Sequence, residues 1–332
     1  MSTNALTAVQ YGVGPIGSRI VRAARERGVE FTGAIDVDPE KVGEDLGDVA
    51  GLGGPIGVEV VEDPEEALAS EPDVVFHSTV SSVERAAPQL ETAMASGANV
   101  VSTTEELTYP HWSNPGVAKE LDAAARENGV TCLGAGINPG FVMDAFPVVC
   151  STPMAEVESV HVKRIQDASV RRGPLQEKVG AGIDVETFKT EIATGAGHVG
   201  STESVAMLAD ALGWELDSID EEIEPVIADE HIETDHVVAE EGDVAGVRQI
   251  AYGQVDDEDV VTLDLQMYVG ADEPRDVVDF EGDPDVTITV DGGFHGDVST
   301  SAVVTNVAPR VHEADAGLAT MADVAMPSFV RN

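Results

Sequence analysis

Three glycines, Gly12, Gly14 and Gly17, stand in the stretch YGVGPIGSRI with the spacing G-x-G-x-x-G. Each has a separate job in gripping a pyrophosphate. The first permits a tight turn, the second lets the ligand approach the backbone, and the third lets a helix pack closely on a strand. Pro15 and Ile16 open the helix that follows, whose N-terminal N–H groups and positive dipole end suit phosphates. Asp36 then closes the run VEFTGAID, about 20 residues on, where an acid is needed to hold ribose hydroxyls. A carboxylate there favours NAD and repels the 2′-phosphate of NADP. NADP stays the alternative, because Lys41 is nearby and salt weakens such repulsion. Asp36 could instead simply cap a helix begun by DPEK.

Ligands of an open parallel sheet lie beyond the carboxyl ends of its strands. Those ends read His77-Ser78-Thr79, Ser102-Thr103-Thr104-Glu105-Glu106 and Gly136-Ile137-Asn138-Pro139-Gly140-Phe141. Within the second, Glu105 and Glu106 offer a carboxylate able to take or give a proton. The plainer reading of the pair is negative charge at the start of the next segment. The histidines are scattered, and only HIETDH brings two together, His231 and His236. That stretch reads as a solvated acidic loop, and no metal site is expected. Cys132 and Cys150 sit in apolar surroundings without ligand spacing, as free thiols of a reducing compartment do.

The elements that position these residues follow from the pattern of apolar positions. Strands at 8–11, VEFTGAID, EPDVVFHST, ANVVST and VTCLGAG alternate with helical stretches such as SVERAAPQLETAMASG and NPGVAKELDAAARENG. That alternation implies a Rossmann-type α/β fold, a doubly wound parallel sheet, over residues 1–150. Past 150 the strands lengthen and alternate, as in VESVHVKRIQDAS and VAGVRQIAYGQVDDEDVVTLDLQMYVG. A second α+β domain on a mostly antiparallel sheet is expected over 151–299, for substrate and dimerisation. The helical segment within 300–332 is expected to pack back on the first domain.

The charge narrows the partners. The 332 residues hold 62 acids against 18 lysines and arginines, a formal net charge of −44. Such a surface repels nucleic acid and anionic lipid, so neither partner is expected. Self-repulsion of this size is tolerable in molar salt, where the Debye length is about 3 Å, which suggests a halophile. No window reads as a membrane span or a signal peptide, so a cytoplasmic protein is expected.

The segments YGVGPIGSRI, STTEELTYP, GAGINPGFVMD, DASVRRGPLQEKVGAGI, GHVGSTESVAMLADALGW and GGFHGDVSTSAVVTN together resemble the 2,4-diaminopentanoate dehydrogenase family. That family is related to dihydrodipicolinate reductase and to the native amine dehydrogenases. The likeness spans nearly the whole chain and is weakest from about 217 to 285. It implies an NAD(P)-dependent amine dehydrogenase, usually a homodimer, acting on a small amine or a diamino acid like 2,4-diaminopentanoate, or in reverse on a ketone plus ammonia. It also implies a catalytic glutamate in STTEEL, carried to Glu105 with Glu106 as the alternative. Asn138 and Phe141 would line the pocket, His198 and His295 would contribute to it, and Thr305 and Asn306 would close the cofactor side.

Dihydrodipicolinate reductases carry a His-His pair that is absent here, where the chain reads VKRIQDASVRRGPL. Arg164, Arg171 and Arg172 could hold a carboxylate there, or pair with the abundant acids. Two other readings of the whole are an imine reductase of the dihydrodipicolinate type and a non-catalytic NAD-binding regulator.

Overall fold

The short apolar runs of the first part form one parallel sheet in the computed structural model, which describes residues 6–171, 173–193 and 197–329. Its strands are β1 (Thr7–Tyr11), β2 (Glu30–Ile35), β3 (Val60–Val61), β4 (Val74–His77), β5 (Asn99–Ser102) and β6 (Thr131–Gly134). Their order is β6-β5-β4-β1-β2-β3, and every neighbouring pair is parallel. All four residues of β4 and of β6 are buried, the pattern of strands covered on both faces. The helix Val83–Ala95 turns Val83, Ala86, Leu90, Ala93 and Met94 inward, and the helix Pro115–Asn128 adds Leu121 and Ala125 to that core. Strand order reverses between β1 and β4, which opens the crevice where such sheets bind ligands.

The helix expected from DPEK does not form. Lys41 and Val42 donate to the Asp38 carbonyl in a single turn, and Gly43 ends it at a φ of +89°. Asp45 starts the next short helix, Leu46–Val49, by accepting from the Gly47 N–H at 2.7 Å.

A second sheet uses longer strands: β7 (Glu156–Asp167), β8 (Ser218–Ile227), β11 (Val244–Val255), β12 (Glu258–Tyr268), β13 (Arg275–Asp283) and β14 (Val286–Asp291). Two short strands, β9 (Ile232–Glu233) and β10 (Val238–Ala239), make a separate ribbon. The large sheet runs β14-β13-β7-β12-β11-β8, antiparallel except where β7 meets β12. The β11–β12 hairpin turns through Asp256 and Asp257 at φ of 53° and 64°, the left-handed pair of a type I′ turn. The helix Ser201–Leu212 lies so close to β11 that a Cβ on Gly253 would stand 2.7 Å from Val205.

The chain divides into two compact units, one made of residues up to Phe141 with those from His295 on, the other Val142–Phe294. The break comes before 150 because the helix Ala145–Cys150 is tied to the second unit. Its N-cap carboxylate, Asp144, accepts from the Ser204 hydroxyl at 2.8 Å. The return to the first unit comes at His295, which caps the helix Gly296–His312. After that helix, β15 (Gly317–Ala319) pairs in parallel with β6. Both cysteines are free, and burial pushes the Cys132 thiol up to about 12. No helix among the described residues is long and apolar enough to cross a membrane.

Candidate active site

The glycine turn has the shape its spacing requires. Gly12 sits at a φ of +87°, and a Cβ there would stand 2.5 Å from the Ser78 carbonyl oxygen. A Cβ on Gly17 would collide with the Gly12 carbonyl oxygen, so only glycine lets the helix Pro15–Glu26 approach β1. Around Gly14, by contrast, a Cβ would meet nothing within 4 Å. The open side therefore lies where a pyrophosphate would approach. Gly14 caps this helix without a side-chain bond, Pro15 follows at its start, and no acid stands in its first turn. Among the described residues, no side-chain cap bond and no first-turn carboxylate takes up those N–H groups. The residues fit a dinucleotide.

Asp36 stands at the end of β2 and reaches back to the turn. Its carboxylate accepts from the Val13 N–H at 2.8 Å, the Asp38 N–H at 2.9 Å and Lys41 Nζ at 3.3 Å. Lys41 is also 3.2 Å from Asp38. Asp36 thus fixes the turn, and it caps no helix among the described residues.

The two glutamates of STTEEL separate cleanly. They open a 3₁₀ turn, Glu105–Thr108, directly beyond β5. Glu106 accepts from the Val83 N–H at 2.8 Å and so caps the helix Val83–Ala95, while its own N–H donates to the Ser81 carbonyl. Glu105 is half-buried, and its carboxylate makes no hydrogen bond or ion pair among the described residues.

His77 was expected to face the cofactor, yet its side chain is an interior group with 1% of its surface exposed. Nδ1 lies 2.8 Å from the Ser102 hydroxyl, and Nε2 lies 2.8 Å from Gln89 Oε1 and 3.0 Å from the Thr79 hydroxyl. Both ring nitrogens are taken. Burial pulls its pKa down to about 4, so the imidazole is neutral. Ser78 faces the glycine turn instead, its hydroxyl donating to the Gly12 carbonyl at 2.9 Å. Gln10, which the sequence reading passed over, donates to the same carbonyl at 2.9 Å. Its only earlier signal was a polar residue inside the apolar run of β1.

Asn306 is displaced from its expected role. Its side-chain oxygen accepts from Arg27 Nε at 2.9 Å, and Arg27 is the C-cap of the helix Pro15–Glu26. Asn306 therefore sits at the end of that helix away from the glycine turn. Thr305 bonds back to the Ser301 carbonyl of its own helix. Asn138, ahead of a cis peptide to Pro139, and Phe141 are part-exposed in the loop beyond β6. His295 is exposed.

In the second unit, His198 is held through its backbone by Gln249, which takes its N–H at 2.6 Å and donates to its carbonyl at 3.2 Å. Arg171 is part-exposed, and Arg172 lies outside the described residues. Arg164 is engaged in the interior. It meets Asp276 at 2.6 Å and donates to the Phe294 carbonyl at 2.7 Å, while Asp276 accepts from the Phe294 N–H at 2.8 Å. Desolvation lowers the Arg164 pKa and Asp276 opposes that shift. No group of His, Cys, Asp and Glu that could hold a metal occurs among the described residues.

A glycine-turn α/β unit followed by a mixed-sheet unit is the build of a dinucleotide-dependent oxidoreductase. A model of the 2,4-diaminopentanoate dehydrogenase C-terminal domain matches residues 141–332. The 2,4-diaminopentanoate dehydrogenase of Acetoanaerobium sticklandii is 34% identical over 265 residues, which cover 78% of this chain and 75% of that protein. An amine dehydrogenase of Streptomyces virginiae is 28% identical over 222 residues, 65% of this chain and 62% of that protein. The structure of an amine dehydrogenase from Mycobacterium smegmatis superposes with a TM-score of 0.85 at 25% identity, covering 99% and 98% of the two chains. The chain belongs to the 2,4-diaminopentanoate dehydrogenase family.

Proposed function

We propose that the chain is an NAD(P)-dependent amine dehydrogenase in which Glu105 handles the proton. Its substrate is a small amine or a diamino acid of the 2,4-diaminopentanoate kind, and its reverse reaction is the reductive amination of a ketone. The observation that carries the role of Glu105 is the division of labour in STTEEL. Glu106 is committed to the Val83 N–H, and Glu105, at the carboxyl edge of the parallel sheet, keeps a carboxylate without a partner among the described residues.

In the oxidative direction the Glu105 carboxylate takes a proton from the substrate ammonium and frees the amine lone pair. That lone pair drives hydride loss from the adjacent carbon and leaves a substrate iminium. The bound nicotinamide supplies the two-electron acceptor. Glu105 releases its captured proton to solvent, water adds to the iminium carbon, and the carboxylate carries a proton from the added water to the amine nitrogen. Ammonia then leaves and takes up the remaining hydroxyl proton as ammonium, giving the ketone. Gly12, Gly14 and Gly17 hold the dinucleotide with the N-terminus of the helix Pro15–Glu26, and Asp36 stands at its ribose. Asn138, Phe141 and His295 are proposed as substrate residues of the first unit, and His198 and Arg171, separately, as substrate residues of the second. NAD is the proposed first choice, since Asp36 occupies the ribose position.

We also read the enzyme as a cytoplasmic homodimer. Two free thiols support a reducing compartment. On one sheet face His161, Lys163, Arg248, Tyr252, Thr262 and Gln266 are part-exposed around the buried Ile250 and Asp264, which supports a second copy as its cover.

The test is Glu105→Gln beside Glu106→Gln, followed by NADH formation at 340 nm in molar KCl with 2,4-diaminopentanoate and simple amines. Loss of about 10²–10⁴ in kcat for E105Q alone is expected. Full turnover by E105Q would remove the assignment.

A further inference from the structure

The buried polar chain beneath β4 and β5 is used by none of the steps above, yet it ends on the residue before Glu105. His77 Nδ1 lies 2.8 Å from Ser102 Oγ and, with the Nε2 N–H turned to Gln89, accepts its hydroxyl proton. Ser102 Oγ itself accepts from the Thr104 N–H at 3.1 Å and lies 3.0 Å from the Thr104 hydroxyl. Thr104 in turn donates to the Val80 carbonyl at 2.8 Å and caps the 3₁₀ turn that begins at Glu105. On the far side of the ring, Gln89 and Thr79 hold Nε2. His77, Ser102 and Thr104 are each at most 1% exposed.

We infer that His77 is a positioning residue, which sets the Glu105 carboxylate through Ser102 and Thr104. This rests on the reading of Glu105 as the proton-handling group. The fold gives it a physical basis, because catalytic geometry must be held to a fraction of an ångström by fully satisfied neighbours. A hydrophobic residue at 77 would fill the space but leave Ser102 with one fewer partner in a dry site. The Glu105 turn has no slack elsewhere to absorb the change. Glu106 pins it to Val83, and a Cβ on Gly134 would stand 2.5 Å from the Leu107 carbonyl carbon.

The next residue supplies an internal control. Ser78 points to the Gly12 carbonyl, so 77 and 78 serve opposite ends of the same chemistry. Their variants should fail in different ways.

Asparagine places an amide near the position of Nδ1 and keeps the bond to Ser102. Glutamine reaches only toward Nε2 and loses it. The experiment measures kcat, amine KM and NADH affinity by fluorescence for H77N, H77Q, S102A, S78A and E105Q, in molar KCl. Expected are kcat within about threefold of the parent for H77N, and a fall of about tenfold or more for H77Q and S102A. NADH affinity should stay within about twofold in these three, which also reports that they are folded. The pair H77Q/S102A should be no worse than its poorer single variant, since both break one link. S78A should instead weaken NADH binding.

Equal kcat for H77N and H77Q, with E105Q inactive, would overturn the positioning role and leave Glu105 standing. Parallel losses of NADH affinity and kcat in H77Q would overturn it too. If H77Q does not fold, S102A carries the test alone: unchanged kcat there sinks the proposal. An active E105Q removes the Glu105 reading and this inference with it.

Discussion

A buried polar constellation of the first unit and one of the second are built on different principles. In the first, His77, Ser102, Thr104, Thr79 and Gln89 share neutral hydrogen bonds. In the second, Arg164 and Asp276 form an ion pair whose spare atoms clamp both backbone groups of Phe294. The neutral set sits beside the carboxylate proposed to move protons, and the ionic set sits where the chain leaves the second unit. A neutral network places no fixed charge beside a group that must change its own. An ion pair, once desolvated, tolerates no missing partner. In a chain of net charge −44, the second unit still commits a scarce arginine to its interior.

The sharpest way to break this contrast is to remove one partner of the ion pair. Asp276→Ala leaves a guanidinium buried without its counter-ion, and a loss of about 3–5 kcal/mol in denaturant unfolding is expected. Replacing both partners with apolar residues of similar size should cost less than the single change. If it does not, the pair is not the ionic clamp described.

The neutral set answers to pH. Its folded-state pKa, about 4, lies below the ordinary 6.5. The neutral imidazole is therefore fully compatible with the fold above pH 6.5, and stability drains as pH falls toward 4, where the folded state at last accepts the proton. The difference corresponds to about 3 kcal/mol. Unfolding of the parent and H77N compared between pH 7 and pH 4 should show a steeper loss in the parent. Identical slopes would deny that His77 is buried neutral.

Smaller effects sharpen the picture around the glutamates and the glycines. Glu106→Ala removes a helix cap and should cost about 1 kcal/mol, measured by thermal unfolding, with NADH affinity kept. Gly14→Ala should change stability least, within about 0.5 kcal/mol, because open space surrounds the position. Its effect should appear as weaker NADH binding. Gly17→Ala, facing the Gly12 carbonyl, should instead unfold the turn.

What was readable in the sequence had a local cause. The glycine spacing imposes backbone constraints within a few residues, so the turn, its helix and Asp36 were legible at once. The doubly wound parallel sheet was legible because alternating strands and helices leave few right-handed solutions. The DPEK segment misled, since Gly43 stops the turn that Asp38 and Pro39 begin. The acidic run holding β8 carried no strand signal, because Ile219, Ile223 and Val226 are separated by exposed acids and a proline on an edge strand.

The site was legible only in part, and the reason is separation along the chain. Glu105 and Glu106 differ because Val83 comes to Glu106, 23 residues away. Arg164 meets an acid 112 residues on, and Asn306 meets an arginine 279 residues back. No spacing rule reaches that far.

The first unit is also discontinuous in the order of synthesis. Its edge strand β6 receives β15 as a neighbour only after the whole second unit has been made. The helix Pro15–Glu26 likewise waits for Asn306. During translation the nascent first unit must therefore persist with an unpaired strand edge, the kind of surface that invites misassembly. A cell making this protein has reason to shield that edge until the last segment emerges.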